Sequence, residues 1–227
     1  MAKQIRRALS VAGLAALAAF GADQAAAAEK GDWLVRVGVT AVRPNDDSGR
    51  VNVQGLGPLD GTGVTVDNDT RPSFTIGYML TDNLALELIG ALPFKHDIGG
   101  KGLGIDDIGS TKHLPPTLSL QYHFNVTPAF KPYVGAGLNY TIFFEEKLSG
   151  AVRDDLGFTK MELDNSLGWA LQLGADVELG GGWLLNADVR YIDIGTEATL
   201  KAPDGSRAKV DVDIDPWVFT LAAGKRF

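Results

Sequence analysis

The feature that most constrains the fold of this chain is the alternation of large apolar residues with small or polar ones between Trp217 and Phe227. In an extended strand every second side chain lies on the same face, so Trp217, Phe219, Leu221 and the terminal Phe227 belong to one stripe. A segment of about this length crosses a bilayer as a tilted strand. An apolar stripe that ends on a terminal Phe is typical of the closing strand of a transmembrane β-barrel.

Residues 1–28 have the features of a secretory signal peptide. Three basic residues precede a short apolar run from Ala8 to Phe20, and small residues suitable for cleavage end at Ala28. The apolar run is too short to span a membrane as a helix. We expect cleavage within a residue or two of Ala28, and a single barrel domain over residues 29–227 in the outer membrane of a Gram-negative cell.

Composition narrows the class of protein further. The sequence has no cysteine, which excludes disulfide scaffolds and thiolate metal sites. Removal of residues 1–28 takes away three of the 21 basic and one of the 28 acidic residues, leaving 18 against 27 and a net charge of −9. Because phosphate contacts require Lys and Arg, we expect no nucleic acid partner. A mean hydropathy of +0.02 suits a barrel, which needs apolar residues at only every second position.

Eight stretches of the chain alternate with the period of a β-strand. Three short connections separate them in alternation with four longer ones near 46–69, 97–112, 147–164 and 200–208. This order predicts an all-β fold, an eight-stranded antiparallel transmembrane β-barrel with short periplasmic turns and long extracellular loops. The predicted strands cover about 32–45, 70–81, 83–97, 113–125, 130–146, 165–179, 183–199 and 209–227.

In the last two predicted strands the large apolar residues change between even-numbered and odd-numbered positions, which is a change of parity. Between 210 and 214 these residues occupy even positions, whereas between 217 and 221 they occupy odd ones. We expect a β-bulge at Asp215–Pro216 to reset the register. We expect a similar change of register in the preceding strand, near Tyr191–Ile192.

Several motifs resemble the OmpW family of outer-membrane proteins, over essentially the whole mature chain. They are His113 to Leu118, Pro132 to Thr141, Asp215 to Phe219 and the terminal Gly224 to Phe227. The resemblance implies an eight-stranded barrel with a narrow, largely hydrophobic lumen. Members are associated with the passage of small hydrophobic molecules across the outer membrane, alkane-import proteins belong to the family, and some members serve as bacteriocin receptors.

Strand parity places charged and polar side chains inside the lower barrel. An eight-stranded barrel is nearly filled by its side chains, so charges there must be paired to offset lost hydration. We expect a polar plug that seals the barrel, with a proton-linked or ionic path as the alternative. The plug residues are Arg36, Glu87, Gln121, His123, Asp176, Glu178 and Asp188.

The upper lumen is predicted to be apolar and to form a ligand path, with ordinary barrel filling as the alternative. The family resemblance implies a constriction by two apolar residues, of which Ile89 matches the first and Arg190 stands at the second. An amphipathic ligand with an anionic head therefore remains open as a variant. The predicted path comprises Met79, Ile89, Ala91, Phe143, Ala170 and Arg190.

Three prolines mark a possible exit from this path. Pro93 lies near the upper end of the third predicted strand, and Pro115–Pro116 near the upper start of the fourth. Proline cannot donate to a strand ladder, so pairing between these neighbours should fail near the top. The hypothesis is a lateral opening from the lumen into the bilayer, with a simple strand end as the alternative.

These patterns favour passive uptake of small hydrophobic or amphipathic molecules, with outer-membrane lipids and apolar solutes as partners and a monomeric barrel. The alternative is a structural or receptor protein that uses its extracellular loops. The residues that come nearest to a catalytic triad are Ser119, His123 and Glu87. They are predicted to face the lower lumen, away from a lipid substrate, so we expect no enzyme. We expect no cofactor and no metal ion, since the run Asp211, Asp213 and Asp215 fits a hydrated rim better than a cation site.

Overall fold

The computed structural model of the chain describes residues 29–227. The expected signal peptide, residues 1–28, lies outside the described residues. The described part is almost entirely strand, with one short helix, α1 (Gly150–Asp154). In chain order the strands are β1 (Trp33–Arg43), β2 (Asp47–Ser48), β3 (Asn52–Val53), β4 (Gly57–Pro58), β5 (Gly63–Val66), β6 (Asp69–Met79), β7 (Leu84–Ala91), β8 (Phe94–Lys101), β9 (Asp107–Leu114), β10 (Thr117–His123), β11 (Phe130–Leu148), β12 (Lys160–Leu163), β13 (Ser166–Gly180), β14 (Trp183–Ile192), β15 (Gly195–Lys201), β16 (Arg207–Asp213) and β17 (Trp217–Arg226).

Eight of these strands close into an antiparallel barrel, which confirms the predicted fold. Around the wall they follow the order β10, β7, β6, β1, β17, β14, β13 and β11, and a β10–β11 ladder completes the circle. The first and last strands pair from Leu34–Arg226 to Arg43–Trp217, so the closing strand lies where its alternation predicts. Closure satisfies the backbone of every strand inside the lipid.

Four of the eight predicted strands are each broken in two by a short irregular segment. The breaks separate β7 from β8, β9 from β10, β14 from β15 and β16 from β17. Above the breaks, β8 and β9 join β5 and the upper part of β11, and β15 and β16 pair with β12, β2 and β3. The predicted long loops are therefore shorter than expected, because much of their length forms an extracellular extension of the wall.

The outer surface of the eight barrel strands is a belt of exposed apolar side chains, as expected for lipid contact. Trp33 and Tyr78 are in tilted contact with ring centroids 4.9 Å apart near the short turns, and Trp169, Tyr191 and Trp217 form a second aromatic group near the breaks. Within residues 29–227, no helix is long and apolar enough to cross a membrane. The belt includes Val37, Val39, Phe74, Ile76, Leu86, Leu88, Leu118, Leu120, Val134, Leu138, Leu167, Leu171, Leu173, Leu185, Phe219 and Leu221.

The expected register reset at Asp215–Pro216 is wrong. Even-numbered side chains are buried on both sides of the break, from Ala208 through Val212 to Val218 and Thr220, so the inward face is continuous. Asp215 does break the ladder, with φ at +38°. The parity of the apolar residues changes because the medium outside the wall changes from lipid to water, and the inward face then takes the apolar residues. Residues 184–198 behave in the same way across the break after β14.

Candidate functional site

A network of five buried charges crosses the lower barrel, and we call Arg36, Glu87, Asp176, Asp188 and Arg190 the charged floor. Arg36 donates from Nη1 to Glu87 at 2.8 Å and from Nη2 to Asp176 at 2.6 Å. Arg190 donates from Nη2 to Glu87 at 2.5 Å and from Nε to Asp188 at 2.7 Å. The five side chains lie on the inward faces of β1, β7, β13 and β14, with Asp188 and Arg190 both on β14. Each is at most 7% exposed.

Neutral side chains complete the hydrogen bonding of the floor. Tyr133 donates its hydroxyl to Asp188 at 3.0 Å, and Gln172 donates to the same carboxylate at 3.2 Å. Asn186 donates to Asp176 at 2.8 Å and to the Tyr133 hydroxyl at 2.9 Å. These three residues are absent from the predicted plug, although their parity on β11, β13 and β14 places them on the inward face.

A second polar cluster lies below the floor, toward the short turns. Glu178 accepts from Arg226 at 3.2 Å and lies 3.8 Å from the Lys131 ammonium. His123 and Gln121 bond to each other at 3.0 Å. The seven residues predicted as a plug are thus all buried, but they divide among the floor, this lower cluster and the His123–Gln121 pair. Their role as a seal stays a prediction.

Two residues predicted for the ligand path lie elsewhere. Met79 is the last residue of β6 and packs with Leu34, Ala85 and Leu184 beside the short turns, because β6 runs downward and its end is at the bottom of the barrel. Arg190 is bonded to two carboxylates and belongs to the floor. With two arginines against three carboxylates, the floor carries no surplus positive charge for an anionic ligand head.

Above the floor the interior changes from charged to apolar. A large cluster of buried aliphatic and aromatic side chains fills the upper barrel and its extracellular extension. Within it lies a cavity of about 40 Å³, which we call the upper chamber. Its lining comprises Val64, Val66, His96, Ile98, Ile108, Thr111, His113, Phe143, Met161, Leu163, Thr196, Ala198, Leu200, Val210, Val212 and Ile214.

A second apolar pocket of about 390 Å³ opens at the extracellular tip, and we call it the mouth pocket. It shares Val64, Ile108, Leu200 and Val210 with the upper chamber, so the two spaces are separated by a single layer of apolar side chains. Its lining is apolar apart from Lys209. The residues not shared with the chamber include Val51, Val53, Leu56, Leu59, Leu103, Ile105, Val152, Leu156 and Phe158.

The other predicted path residues lie at or near the base of this apolar region. Phe143 lines the upper chamber, and Ala170 belongs to the same apolar cluster with Ala91 packed against it. Ile89 is 7% exposed and pairs with Thr117 in the β7–β10 ladder, one step below the apolar cluster. Most of the chamber lining comes from β8, β9, β15 and β16, which the sequence analysis had treated largely as loops or strand ends.

A gap in strand pairing lies beside the chamber. The β7–β10 ladder ends at Ile89–Thr117, and the β8–β9 ladder begins at Phe94–His113. Residues 90–93 and 114–116, all within the described part of the chain, form no ladder pairs with one another. We call this segment, which contains Pro93, Pro115 and Pro116, the pairing gap.

Each side of the pairing gap remains bonded to its outer neighbour. The Leu92 N–H donates to the Pro72 carbonyl at 3.0 Å, and the Tyr140 N–H donates to the Pro116 carbonyl at 3.1 Å. On the inner side, Asn139 donates its amide to the carbonyls of Pro115 and Pro116 at 3.1 and 3.2 Å. On the outer side, Leu92 is 58% exposed, so the gap faces an apolar surface of the wall.

Two parallel imidazole rings lie in the upper chamber. His96 and His113 stack with their centroids 4.8 Å apart and an interplanar angle of 6°, and Phe94 and Phe143 flank His113. Burial lowers the pKa of both rings, and that of His113 falls to about 3 with a further contribution from the neighbouring His96. Both histidines are therefore neutral at physiological pH.

The candidate triad does not assemble in this structure. His123 Nε2 bonds to Gln121, and Glu87 is held by two arginines. The Ser119 hydroxyl has no hydrogen-bond partner within residues 29–227. The same described residues contain no group of three or more His, Cys, Asp or Glu side chains arranged to hold a metal ion, and Asp215 accepts from the Tyr191 hydroxyl and the Ile194 N–H, both at 3.1 Å.

Comparison with known proteins agrees with this architecture. Outer membrane protein W of Vibrio cholerae is 44% identical over 224 residues, which cover 96% of this chain and 99% of that protein. The crystal structure of the outer membrane protein OprG from Pseudomonas aeruginosa matches with a TM-score of 0.83 and 41% identity, covering 88% of this chain and 97% of that chain. The dibenzothiophene metabolism operon protein PahQ of Pseudomonas aeruginosa is 29% identical over 203 residues, covering 88% of this chain and 90% of that protein.

The first two of these relatives are outer-membrane proteins by name, and the closed barrel with its apolar belt fits that location. The family model described as the OmpW family matches residues 29–227, which is the whole of the described chain. The protein is therefore an outer-membrane β-barrel, and the chain belongs to the OmpW family.

Proposed function

We propose that this protein mediates passive uptake of small hydrophobic molecules, which enter at the mouth pocket, pass through the upper chamber and leave sideways into the bilayer. The observation that carries the proposal is an apolar space that ends on a charged floor beside a gap in the wall. A relative named for a dibenzothiophene metabolism operon supports an apolar solute, since that name refers to an aromatic compound of low polarity.

The charged floor supports the sideways route. An apolar solute that crossed it would have to separate Arg36 and Arg190 from carboxylates with which they form bonds of 2.5 to 2.8 Å. Breaking a buried ion pair without replacing its partner costs several kcal/mol, about 3–5 for loss of one partner. The same tight pairing argues against the ionic path, because a conducting ion would need the same groups to separate.

The pairing gap supports an exit at the level of the chamber. No ladder hydrogen bond between residues 90–93 and 114–116, within the described chain, has to break for these segments to move apart. The segments remain attached to β6 and β11, so they can separate without unfolding the barrel. Leu92, Leu88 and Leu118 present an apolar outer surface around the gap, which a solute would meet as it enters the lipid.

The role we propose is not enzymatic, and it needs only one barrel. Of the candidate triad, Glu87 is held by the two arginines of the floor and His123 bonds to Gln121, so neither supports Ser119 as a base. A closed wall leaves no open strand edge that would need a second copy, so we propose that the barrel works as a monomer in contact with outer-membrane lipids.

The test is to restore hydrogen-bond donors in the pairing gap. We propose Pro93→Val together with Pro115→Val and Pro116→Val, with Pro128→Val in an exposed short turn as the matched control. Uptake of an apolar fluorescent solute into lipopolysaccharide-containing vesicles should fall several-fold in the gap variant and stay at the wild-type rate in the control. Equal uptake by the gap variant and the wild type, with both folded by circular dichroism, would contradict the lateral exit.

A further inference from the structure

His96 in the upper chamber has a defined tautomer. Its Nδ1 lies within hydrogen-bond distance of the backbone carbonyl oxygen of Asp67. A carbonyl oxygen only accepts, so Nδ1 must carry the proton and donate it. In the neutral ring the other nitrogen, Nε2, is then an acceptor with a free lone pair.

This acceptor is buried and has no partner. His96 is 2% exposed, and its Nε2 has no hydrogen-bond partner within residues 29–227. His113, 3% exposed, stacks on it and also has an Nε2 with no partner in the same described residues. Buried polar groups are nearly always hydrogen-bonded, so the unused acceptor of His96, beside the apolar chamber, is available to a donor that a small side-chain movement admits.

The other polar groups of the chamber do not supply that donor. The Thr111 hydroxyl is directed at the carbonyls of Lys112 and Phe144, at 3.3 and 3.5 Å. The Thr196 hydroxyl donates to the carbonyl of Asp164 at 2.7 Å. Apart from His113, whose own Nε2 is unpaired, the remaining lining residues are apolar, so within residues 29–227 the chamber lining supplies no donor to His96.

The two spaces above the floor match a solute with one polar end. The upper chamber, about 40 Å³, holds a group of the size of a hydroxyl, since a water molecule requires roughly 10–15 Å³ by the same measure. The mouth pocket, about 390 Å³ and almost wholly apolar, has room for a hydrocarbon or aromatic body. A single layer of shared aliphatic residues separates the polar end from the body, so small side-chain movements would join them.

We propose that the upper chamber selects uncharged apolar solutes that carry one hydrogen-bond donor, such as the hydroxyl of a phenol or a long-chain alcohol, which donates to His96 Nε2. The inference rests on the proposed uptake function and specifies its substrate class. Solutes without a donor leave the nitrogen unpaired, and charged solutes lose their hydration in the apolar lining, so both are disfavoured.

The experiment compares two solutes that differ only in the donor. Vesicles with lipopolysaccharide in the outer leaflet, with and without the full mature barrel, receive 4-butylphenol or 4-butylanisole, in which a methyl group replaces the donating proton. The measured quantity is the ratio of protein-dependent initial uptake rates. We expect a preference for the phenol of about three- to tenfold, the range that one net hydrogen bond supplies.

Variants then assign the preference to His96. His96→Phe keeps a planar ring and removes the acceptor, so the ratio of phenol to anisole uptake should fall to about one. Asp97→Asn is the matched control, because its side chain is the next on β8 and points outward. The control should keep the wild-type preference.

The possible failures are distinguishable. If the wild-type barrel takes up both solutes at equal protein-dependent rates, or if His96→Phe keeps the preference, the selective site is overturned while uptake itself stands. If neither solute enters faster with the wild-type barrel than without it, the proposed function fails first. The wild-type comparison decides the matter even if the variant does not fold.

Discussion

On the periplasmic side of the break at Asp215–Pro216 the wall of this barrel carries apolar side chains outside and charges inside. On the extracellular side the arrangement is reversed. Phe219 and Leu221 face outward in the lower part, where the inward residues of β14 include Asp188 and Arg190. In the upper part Val210 and Val212 face inward, while Asp211 and Asp213 face outward. The direction of the side chains is continuous across the break, so the medium around each part decides which face takes the apolar residues.

The comparison also shows where each interior obtains its stability. The lower interior depends on a few strong, mutually compensating charges, whereas the upper interior depends on the burial of many aliphatic side chains. A change that removes Glu87 from the floor deprives each buried arginine of one of its two carboxylates, while a change of similar size on the outer surface of the upper part is solvated by water. The predictions below follow from this difference.

The largest expected effect is at Glu87, which binds both Arg36 and Arg190. Glu87→Leu should lower the free energy of unfolding by about 3–5 kcal/mol, because two guanidinium groups lose a buried partner. Urea unfolding in lipid vesicles measures it. Glu162→Gln, at the solvent-exposed Lys160–Glu162 pair in the upper part, is the control and should leave the stability nearly unchanged. A Glu87→Leu barrel as stable as the control would mean that the floor is not a compensated network.

The next effect concerns the outward faces of the two parts. Leu221→Arg places a charge in the lipid belt and should cost about 2–4 kcal/mol if the position is near the bilayer midplane. Asp211→Arg is the matched change on the outward face of β16 and should stay within about 0.5 kcal/mol, because water surrounds it. Equal costs in the same urea titration would show that the two parts share one environment.

Acid should weaken the upper part through His113. Its pKa in the folded protein is about 3, below the ordinary value of 6.5, so the unfolded chain binds more protons between these values and stability falls as the pH is lowered from 6.5 toward 3. The loss should be on the order of 2 kcal/mol at pH 5 relative to pH 7. The check is unfolding at both pH values for the wild type and His113→Phe, which lacks the group. An identical pH dependence in the two proteins would exclude His113 as the cause.

The smallest effect is expected at the exposed Arg50–Asp60 pair, which lies in the extracellular extension. The two side chains are 58% and 89% exposed although their atoms are 2.6 Å apart. Exposed ion pairs contribute about 0–1 kcal/mol, so Arg50→Ala should leave the unfolding midpoint nearly unchanged. A loss comparable to that of Glu87→Leu would remove the distinction between buried and solvated charges on which the comparison depends.

The sequence was sufficient for the barrel itself. The closed wall is predicted by eight stretches in which apolar and polar residues alternate, because lipid outside imposes apolar residues at every second position. The short turns at 81–83, 125–129 and 180–182 support the same prediction. The inward charges of the floor could also be predicted from parity. Their partners could not, because the sheet register that brings Arg36 to Asp176 and Arg190 to Glu87 is not readable from one strand alone.

The upper part was harder to predict for a physical reason. Residues such as Val210 and Ile98 follow the same alternation as the lipid belt, so their pattern alone does not say whether the apolar face is inside or outside. The extracellular strands are also short and separated by many turn residues, so their sequences resemble those of loops. Met79 was misplaced although its position near the end of a downward predicted strand already indicates the bottom of the barrel. The Asp67 carbonyl that fixes the His96 tautomer has no side-chain signal in the sequence.

The central claim, that an apolar solute leaves the upper chamber sideways without crossing the floor, is tested most directly by photo-cross-linking. A diazirine-labelled apolar solute would be added to the barrel in lipid nanodiscs, and labelled residues would be mapped by mass spectrometry. The account predicts adducts on chamber residues such as Val210 and on Leu92 and Leu118 beside the pairing gap, in excess over Leu221 on the far side of the belt. Adducts on Tyr133, Asn186 and the other inward residues of the floor, without enrichment at the gap, would contradict it.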